Sequence, residues 1–316
     1  MTFDARFVVV VLAAFACANT IAAGVAVWQW RRRTPPEAPQ DRASFLLRIR
    51  MLPLVASLLW SALAMSSFFF FESRRSDERT GLVILALAAI GAALVASAGA
   101  RLVVTLARHR RIVRGWFTGA EPVTLDGVGV PAMIVDFAFP IVAVVGVFRA
   151  RLVIARNVID ACTPEELRAI LDHECRHVSR GDNFRRTLLV ALPDPLGWLN
   201  VGRAIDAAWH DATEEVADEA PGDAAGDAGR VALASALIRV AKMVPAGSPM
   251  AEIPASALYR GEPLERRVRR LLDPIPPRPR APRHYQWLAL AAVIGASIVL
   301  LGPIHELLEV AVTFLP

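Results

Sequence analysis

Cysteine, lysine and charged residues in general are scarce in this chain of 316 residues. The three cysteines, Cys17, Cys162 and Cys175, are too few and too scattered for a disulfide framework, which excludes a disulfide-stabilised secreted scaffold. Lys242 is the only lysine, so almost all positive charge is carried by arginine. Charged residues make up 21% of the chain and apolar residues 55%, a balance that largely rules out a disordered protein and a cytosolic enzyme.

The apolar residues are concentrated in blocks that are longer than a soluble core requires. Crossing the roughly 30 Å hydrocarbon core of a bilayer takes about 20 apolar residues in a helix. Three blocks reach this length: residues 7–30, 51–71 and 81–107. A fourth begins at Trp287 and is interrupted at Pro303. We therefore predict three transmembrane helices over residues 1–107 and a fourth, with a short external tail, over residues 286–316.

The placement of arginine relative to these blocks predicts their orientation. Six arginines lie between residues 31 and 50, and four more lie between residues 108 and 114. Cytoplasmic loops carry an excess of basic residues, so the N-terminus is predicted outside and residues 108–285 in the cytoplasm. Because the basic cluster follows the first block, an uncleaved anchor is favoured over a signal peptide. The net charge of +5 is then explained by arginines that orient the helices in the membrane and lie next to anionic lipid. No nucleic-acid partner is predicted.

Residues 108–285 are long enough for one domain, and their pattern changes from strands to helices. Short runs rich in valine and isoleucine predict three strands: Ala132–Phe137, Ile141–Val147 and Arg151–Ala155. Thr163 followed by Pro164 and two acids is typical of a helix start, and Gly181 of its end. Further helices are predicted at Thr187–Leu192, about Pro195–Glu219, Val231–Val244 and Leu264–Leu272, with a small-residue acidic linker at Ala220–Gly229.

An H-E-x-x-H motif, His173-Glu174-Cys175-Arg176-His177, lies inside the helix that begins at Thr163. Residues four apart share one face of a helix, so both imidazoles can reach one metal ion. Glu174 lies one residue off that face, where its carboxylate can take a proton from an attacking water. The motif predicts His173 and His177 as metal ligands and Glu174 as the catalytic base.

A catalytic zinc needs a third protein ligand, and a carboxylate pair further along the chain offers one. Glu214 and Asp218 are four residues apart on a predicted helix, so they share a face. Glu214 is predicted to bind the metal, and Asp218 to orient a ligand histidine through its ring N–H. Glu215 is the less favoured alternative, because Asp218 is spaced four residues from Glu214 only. His210, one turn before Glu214, is a further candidate ligand or transition-state donor, although a surface histidine is the simpler interpretation.

The run Ile170–Val178 and the following Arg180–Asn183 are accompanied by three more motifs: Pro193-x-Pro195-Leu196-x-Trp198, Glu214-x-x-x-Asp218 and Pro263–Val268. Together they resemble the membrane metallopeptidases of the BlaR/MecR antibiotic-sensor type. The heat-shock and CAAX-processing membrane zinc proteases share the same core and are the close alternative. The resemblance implies an α-helical membrane protein of the bacterial inner membrane with an α+β zincin-like (gluzincin) cytoplasmic metallopeptidase domain. It also implies one Zn²⁺ per chain.

These observations predict a membrane-embedded, zinc-dependent endopeptidase that hydrolyses peptide bonds of a cytoplasmic or membrane protein, such as a regulatory protein in signalling. Only 15 residues follow Leu301, too few for a penicillin-binding sensor, so sensing of β-lactams is not expected. The alternative is a catalytically silent membrane scaffold or signalling partner that retains the fold. The presence of all three expected ligands and the base favours the peptidase, since a silent relative would be expected to have lost at least one.

Overall fold

Three long helices form the N-terminal part of the protein in the computed structural model, which describes residues 3–71, 81–117, 119–244 and 264–273. The helices are α1 (Phe3–Arg32), α2 (Pro39–Phe71) and α3 (Leu82–Phe117). Each is long and apolar enough to cross a membrane. The fourth predicted span, residues 286–316, lies outside the described residues.

All three helices extend beyond the apolar blocks that predicted them, α1 by a few residues and α2 and α3 by ten or more. α2 begins at Pro39 instead of residue 51, and α3 ends at Phe117 instead of residue 107. Hydropathy marks only the part of a helix that suits lipid, whereas backbone hydrogen bonding continues through the arginine-rich turns beyond it. The extension of α2 brings Arg42 to Glu215 and Arg50 to Asp206.

A close approach of two backbones joins α1 and α3. A Cβ atom placed on Gly91 of α3 would lie 2.4 Å from the backbone oxygen of Leu12 in α1. Small residues allow apolar helices to approach this closely, and Ala13 and Ala88 are buried beside the contact. Gly91 therefore sets the separation of the two helices.

A four-stranded sheet with the order β1-β2-β4-β3 follows the third helix. Its strands are β1 (Glu121–Val123), β2 (Ala132–Val135), β3 (Val142–Val145) and β4 (Arg151–Ala155). β2 and β4 are parallel, whereas β1 is antiparallel to β2 and β3 is antiparallel to β4. The three predicted strands are confirmed, with β2 and β3 shorter than expected. Among the described residues β3 lies at one edge of the sheet, and its side opposite β4 carries no neighbouring strand there.

The helix that carries the H-E-x-x-H motif has well-defined ends. After a short helix, α4 (Arg156–Ala161), α5 spans Pro164–Arg180. The Thr163 hydroxyl accepts a hydrogen bond from the N–H of Glu166, whose carboxylate accepts one from the N–H of Thr163. Gly181 ends the helix in the left-handed region, at φ 65°. The predicted start and end are therefore confirmed, and both depend on local sequence.

The remaining elements are helical. They are α6 (Asp182–Val190), a 3-10 turn (Pro195–Gly197), α7 (Asn200–Asp218), α8 (Ala220–Lys242) and α9 (Leu264–Leu272). α6 begins earlier than predicted because it starts directly after the turn at Gly181. α7 begins later, since the 3-10 turn occupies the residues before it.

The prediction of a linker over Ala220–Gly229 is wrong, because these residues form the first part of α8. Proline is tolerated in the first turn of a helix and alanine favours the helix, so Pro221 and its alanine neighbours do not break it. The irregularity is confined to a kink at Ala225 and Gly226. A Cβ atom on Gly229 would lie 2.0 Å from the backbone oxygen of Pro221, so glycine permits close packing across the kink.

Besides the small apolar cluster of α1 and α3 near Gly91, two larger hydrophobic cores hold the described elements together. The first lies between the sheet and helices α5, α8 and α9. The second joins α1 and α2 to α6, the 3-10 turn and α7, and its fully buried members include Leu46, Leu192, Ile205 and Trp209. The helices on either side of the 3-10 turn therefore pack directly against the apolar N-terminal helices.

The contact at Gly91 provides a test of the packing of α1 against α3. Gly91→Ala should destabilise the protein by about 1–3 kcal/mol, because the added methyl group meets backbone that cannot move aside. Gly99→Ala on the same helix is the matched control, since its Cβ would have no heavy atom within 4 Å. Thermal unfolding in detergent measures both variants. Equal melting temperatures for the two would contradict this packing.

Candidate metal centre

Three potential ligands from two helices meet in the interior of the protein. His173 and His177 come from α5 and Glu214 from α7, and all three are buried. His173 Nε2 lies 3.6 Å from Glu214 Oε2, and His177 Nε2 lies 3.5 Å from Glu214 Oε1. One ligand atom from each residue lies within 4.8 Å of the others. The helical spacing and the antiparallel packing of α5 and α7 thus bring the three predicted ligands together.

The donor atoms suit a tetrahedral metal ion. Ligand bonds of about 2.0–2.1 Å place tetrahedral ligand atoms about 3.3–3.4 Å apart, close to the separations observed here. His173 Nε2, His177 Nε2 and Glu214 Oε2 are buried and have no hydrogen-bond partner within the described part of the chain. Buried polar atoms are rarely left unpaired, so three that converge are expected to share a bound cation. Two imidazoles and a carboxylate are a donor set that zinc accepts.

A carboxylate stands behind each histidine and directs its other ring nitrogen. His173 Nδ1 lies 3.2 Å from Asp218 Oδ1, and His177 Nδ1 lies 2.9 Å from Asp182 Oδ2. The His177 contact is a hydrogen bond and the His173 contact is a close pairing with a carboxylate, and both leave Nε2 available to a metal. The predicted position of Asp218 behind a histidine agrees with this arrangement. The contact of Asp182 was not predicted, because it crosses the turn at Gly181 and follows no helical spacing.

Arginines from two other helices hold the carboxylates of the site. Arg267 of α9 contacts Asp218 through two nitrogens, at 2.6 and 3.1 Å, and only 1% of the arginine side chain is exposed. Arg186 of α6 donates a hydrogen bond to Glu214 Oε1 at 3.0 Å. Sequence analysis missed both arginines, since neither has a spacing that relates it to the motif. A charge-assisted pair of this kind keeps a buried carboxylate ionised and oriented.

Glu174 lies beside the ligands and is itself buried. Its Oε2 accepts a hydrogen bond from the N–H of Val144 in β3, at 3.2 Å, whereas its Oε1 has no hydrogen-bond partner among the residues that the structure describes. Burial raises the pKa of Glu174 above its usual range. A carboxylate with a raised pKa and one oxygen that is not hydrogen-bonded within the described residues is suited to general-base chemistry.

The electrostatic balance of the site favours charged forms despite burial. Burial alone would lower the pKa of His177, but the charge of Glu214 and the hydrogen bond with Asp182 outweigh it and raise that pKa to about 10. Burial alone would raise the pKa of Glu214, but His177 and the other positive groups hold it well below its usual range. Without metal, the His177 imidazole is therefore positively charged at neutral pH, and the pKa of His173 is shifted in the same direction by Asp218 and Glu214.

The alternative ligands named from the sequence lie elsewhere. Glu215 points away from the cluster and pairs with Arg42 and Arg270. The ring of His210 packs edge-on against Trp209, with centroids 5.1 Å apart, and His210 does not belong to the group of three ligands. The geometry therefore selects Glu214 among the three candidates on α7.

A comparison with known protein families gives one match. Residues 143–243 match the model of peptidase family M48, a stretch that begins in β3 and includes the whole of α5 and α7. This match supports a metallopeptidase, and the cluster of His173, His177 and Glu214 lies within the matched residues. No curated protein and no solved structure shows significant similarity to the chain.

The raised pKa values predict how metal binding depends on pH. Wild type should bind about one zinc ion per chain, with an affinity that rises with pH. A histidine whose pKa is raised in the metal-free protein holds a proton that the metal must displace. Displacement of one or two protons corresponds to about a 10- to 100-fold change in affinity per pH unit. Competition with a chromophoric chelator at pH 6, 7 and 8 measures this dependence.

His173→Ala and His177→Ala should each remove most of the bound zinc. His109→Ala is the control, because His109 lies on α3 and not in the ligand cluster. Equal zinc content in all four proteins, or an affinity that does not change with pH, would refute the metal centre.

Proposed function

We propose that this protein is an active zinc-dependent endopeptidase of the gluzincin type. The observation that carries the proposal is the convergence of three unpartnered buried ligand atoms beside a buried glutamate with one free oxygen. A catalytically silent scaffold is the alternative. It is disfavoured because a protein without the activity would have no need to bury this costly set of charges in a metal-binding arrangement.

Each residue of the centre has a proposed role in peptide hydrolysis. His173, His177 and Glu214 would hold the zinc, and a bound zinc ion supplies Lewis-acid polarisation of the peptide carbonyl and of a water. Glu174 would take a proton from the attacking water through its free Oε1, as the water oxygen bonds to the carbonyl carbon. As the C–N bond breaks, Glu174 would return the proton to the leaving amine.

The edge strand beside Glu174 suggests how a substrate is held. Ile141 accepts a backbone hydrogen bond from Ala155, so the alternation of an antiparallel pair directs the backbone groups of Val142 and Val144 away from β4. Asn183 already donates to the carbonyl of Val144, at 2.9 Å. We propose that an extended substrate segment pairs along this side of β3, which places its backbone next to the metal centre.

The cellular setting is part of the proposal. We infer a bacterial inner-membrane protein with its N-terminus outside and residues 108–285 in the cytoplasm, supported by the arginines that follow the first and third apolar blocks. We propose a relationship to the BlaR/MecR type, on the motifs quoted above, with the heat-shock and CAAX-processing proteases as the alternative. The proposed substrate is a cytoplasmic or membrane protein, such as a regulatory protein in signalling.

Separate roles for the two glutamates predict separate defects. Glu174→Gln should keep the zinc and the fold but lose about 10²- to 10⁴-fold in cleavage rate, because the general base is removed. Glu214→Gln should instead lose zinc, because a charged ligand is removed. Asp218→Asn should lower zinc affinity or activity by about 10- to 100-fold. Zinc content measured together with the cellular protein fragments that differ between wild type and Glu174→Gln tests these roles.

Three results would contradict the roles proposed for Glu174 and Glu214 or the activity itself. Cleavage that persists in Glu174→Gln, or equal loss of zinc in both glutamine variants, would refute the assigned roles. A wild type that holds zinc yet yields the same fragments as Glu174→Gln would favour the silent scaffold.

Topology predicts the behaviour of reporter fusions. A reporter after Arg114 should be active only as a cytoplasmic fusion, and one inserted at Ser76 only as an external fusion, because of the charge asymmetry around the apolar blocks. A fusion after Pro316 should also read as external if the fourth span is present. An external reading at Arg114 would invert the proposed orientation and place the metal centre on the opposite side.

A further inference from the structure

The arginine-rich extension of α2 runs antiparallel along α7, the helix that carries Glu214. Arg42 pairs with Glu215, and Arg50 pairs with Asp206 at 2.8 Å. The two arginines are eight residues apart on α2, and their partners are nine residues apart on α7. Because an α-helix rises about 1.5 Å per residue, the two separations match, and α2 holds α7 at two points along its length.

Arg50 also holds the segment that joins α6 to α7. Its Nη1 lies 2.7 Å from Asp194 Oδ2, and the two side chains are 2% and 0% exposed. Asp194 in turn accepts a hydrogen bond from the N–H of Gly197 and so caps the 3-10 turn. Removing one partner of a buried ion pair strongly destabilises a protein, because the other charge stays buried without a partner. The contacts of Arg50 with Asp194 and Asp206 therefore favour one position of the segment between α6 and α7.

The other two apolar helices contact the same junction with polar side chains. Asn19 of α1 donates to the carbonyl of Pro193 at 3.0 Å. Arg101 of α3 donates to the carbonyl of Leu192 at 2.6 Å. Leu192 and Pro193 follow the end of α6, so both hydrogen bonds tie the segment between α6 and α7 to the N-terminal helices. The junction is therefore held by one polar residue from each of α1, α2 and α3.

The position of this junction determines the geometry of the metal centre. α6 carries Asp182, which contacts His177, and Arg186, which contacts Glu214. α7 carries Glu214 about 12 Å along the same helix from Asp206, the partner of Arg50. Any shift of α7 relative to α5 changes the separations of 3.5 and 3.6 Å between Glu214 and the two histidines.

We propose that α2 positions the ligand Glu214 and so helps to set the affinity of the metal centre. Arg50 and Arg42 are positioning residues that act through α7, so the affinity of the site for metal depends on the placement of a helix long and apolar enough to span the membrane. The inference rests on the proposed zinc site. It adds that residues 39–50, before the apolar part of α2, hold the third ligand at the distance that zinc requires.

The test compares three arginines of α2 in the full-length protein in detergent. Arg50→Met and Arg42→Met remove the charge and keep most of the side-chain length. Arg48→Met is the matched control, because Arg48 is exposed. Within the described residues its side chain donates a hydrogen bond only to the nearby carbonyl of Ser44. Chelator competition gives the zinc affinity, and the visible spectrum of the cobalt-substituted protein reports on ligand geometry.

Arg50→Met and Arg42→Met should each lower zinc affinity by about tenfold or more and alter the cobalt spectrum, as changes behind metal ligands do. Arg48→Met should match wild type. Asp206→Asn, which leaves Arg50 paired with Asp194, should also lower affinity. The double variant Arg50→Met/Asp206→Asn should lose less zinc-binding free energy than the sum of the two single losses, because both substitutions remove the same contact.

Several outcomes would overturn the inference. Folded Arg50→Met and Arg42→Met proteins with the affinity and cobalt spectrum of Arg48→Met would refute it and leave the zinc site intact. A lowered melting temperature of the metal-free protein with unchanged zinc affinity would show a purely structural role and would also refute it. If Arg50→Met does not fold, Arg42→Met and Asp206→Asn decide by the same criteria. A wild type without zinc affinity would overturn both the inference and the proposed function.

Discussion

Many ionisable side chains are buried around one point, and the surrounding helices and strands are arranged so that these side chains have partners. His173, Glu174, His177, Glu214 and Asp218 are all almost inaccessible to water. An isolated buried charge is very costly, and the cost is offset only when every charge has a partner with good geometry. Neighbouring elements pair with these side chains, while one atom of each of His173, His177 and Glu214 faces the same point without a hydrogen-bond partner among the described residues, and these three residues could hold a metal ion.

The side chains that pair with the buried groups of the site come from several separate helices. α9 is a short helix whose main contribution to the site is Arg267, which holds Asp218 and through it His173. α6 contributes Asp182 and Arg186, one behind each of the other two ligands. A site assembled in this way is rigid, because moving any one helix leaves a buried charge unpaired. Rigidity of this kind is what a tetrahedral metal site requires for tight binding.

The apolar helices belong to the same assembly. Their core with α6 and α7, and the polar contacts of Asn19, Arg50 and Arg101 with the junction between those helices, connect them to the ligand Glu214. The three helices that are long and apolar enough to cross a membrane therefore contact α7, which carries the candidate ligand Glu214, or the segment that leads into it.

Features that depend on neighbours in the chain were predictable from the sequence alone. The ends of α5 follow from the capping box at Thr163 and from Gly181, and the shared face of His173 and His177 follows from their spacing of four, because helix geometry is local. The linker over Ala220–Gly229 was predicted wrongly, since a glycine- and proline-containing run becomes helical when it is packed. Only the tertiary structure could pair Arg267 with Asp218, 49 residues away, or Arg50 with Asp194, 144 residues away. Such pairs follow no sequence spacing, and burial among several packed helices selects them.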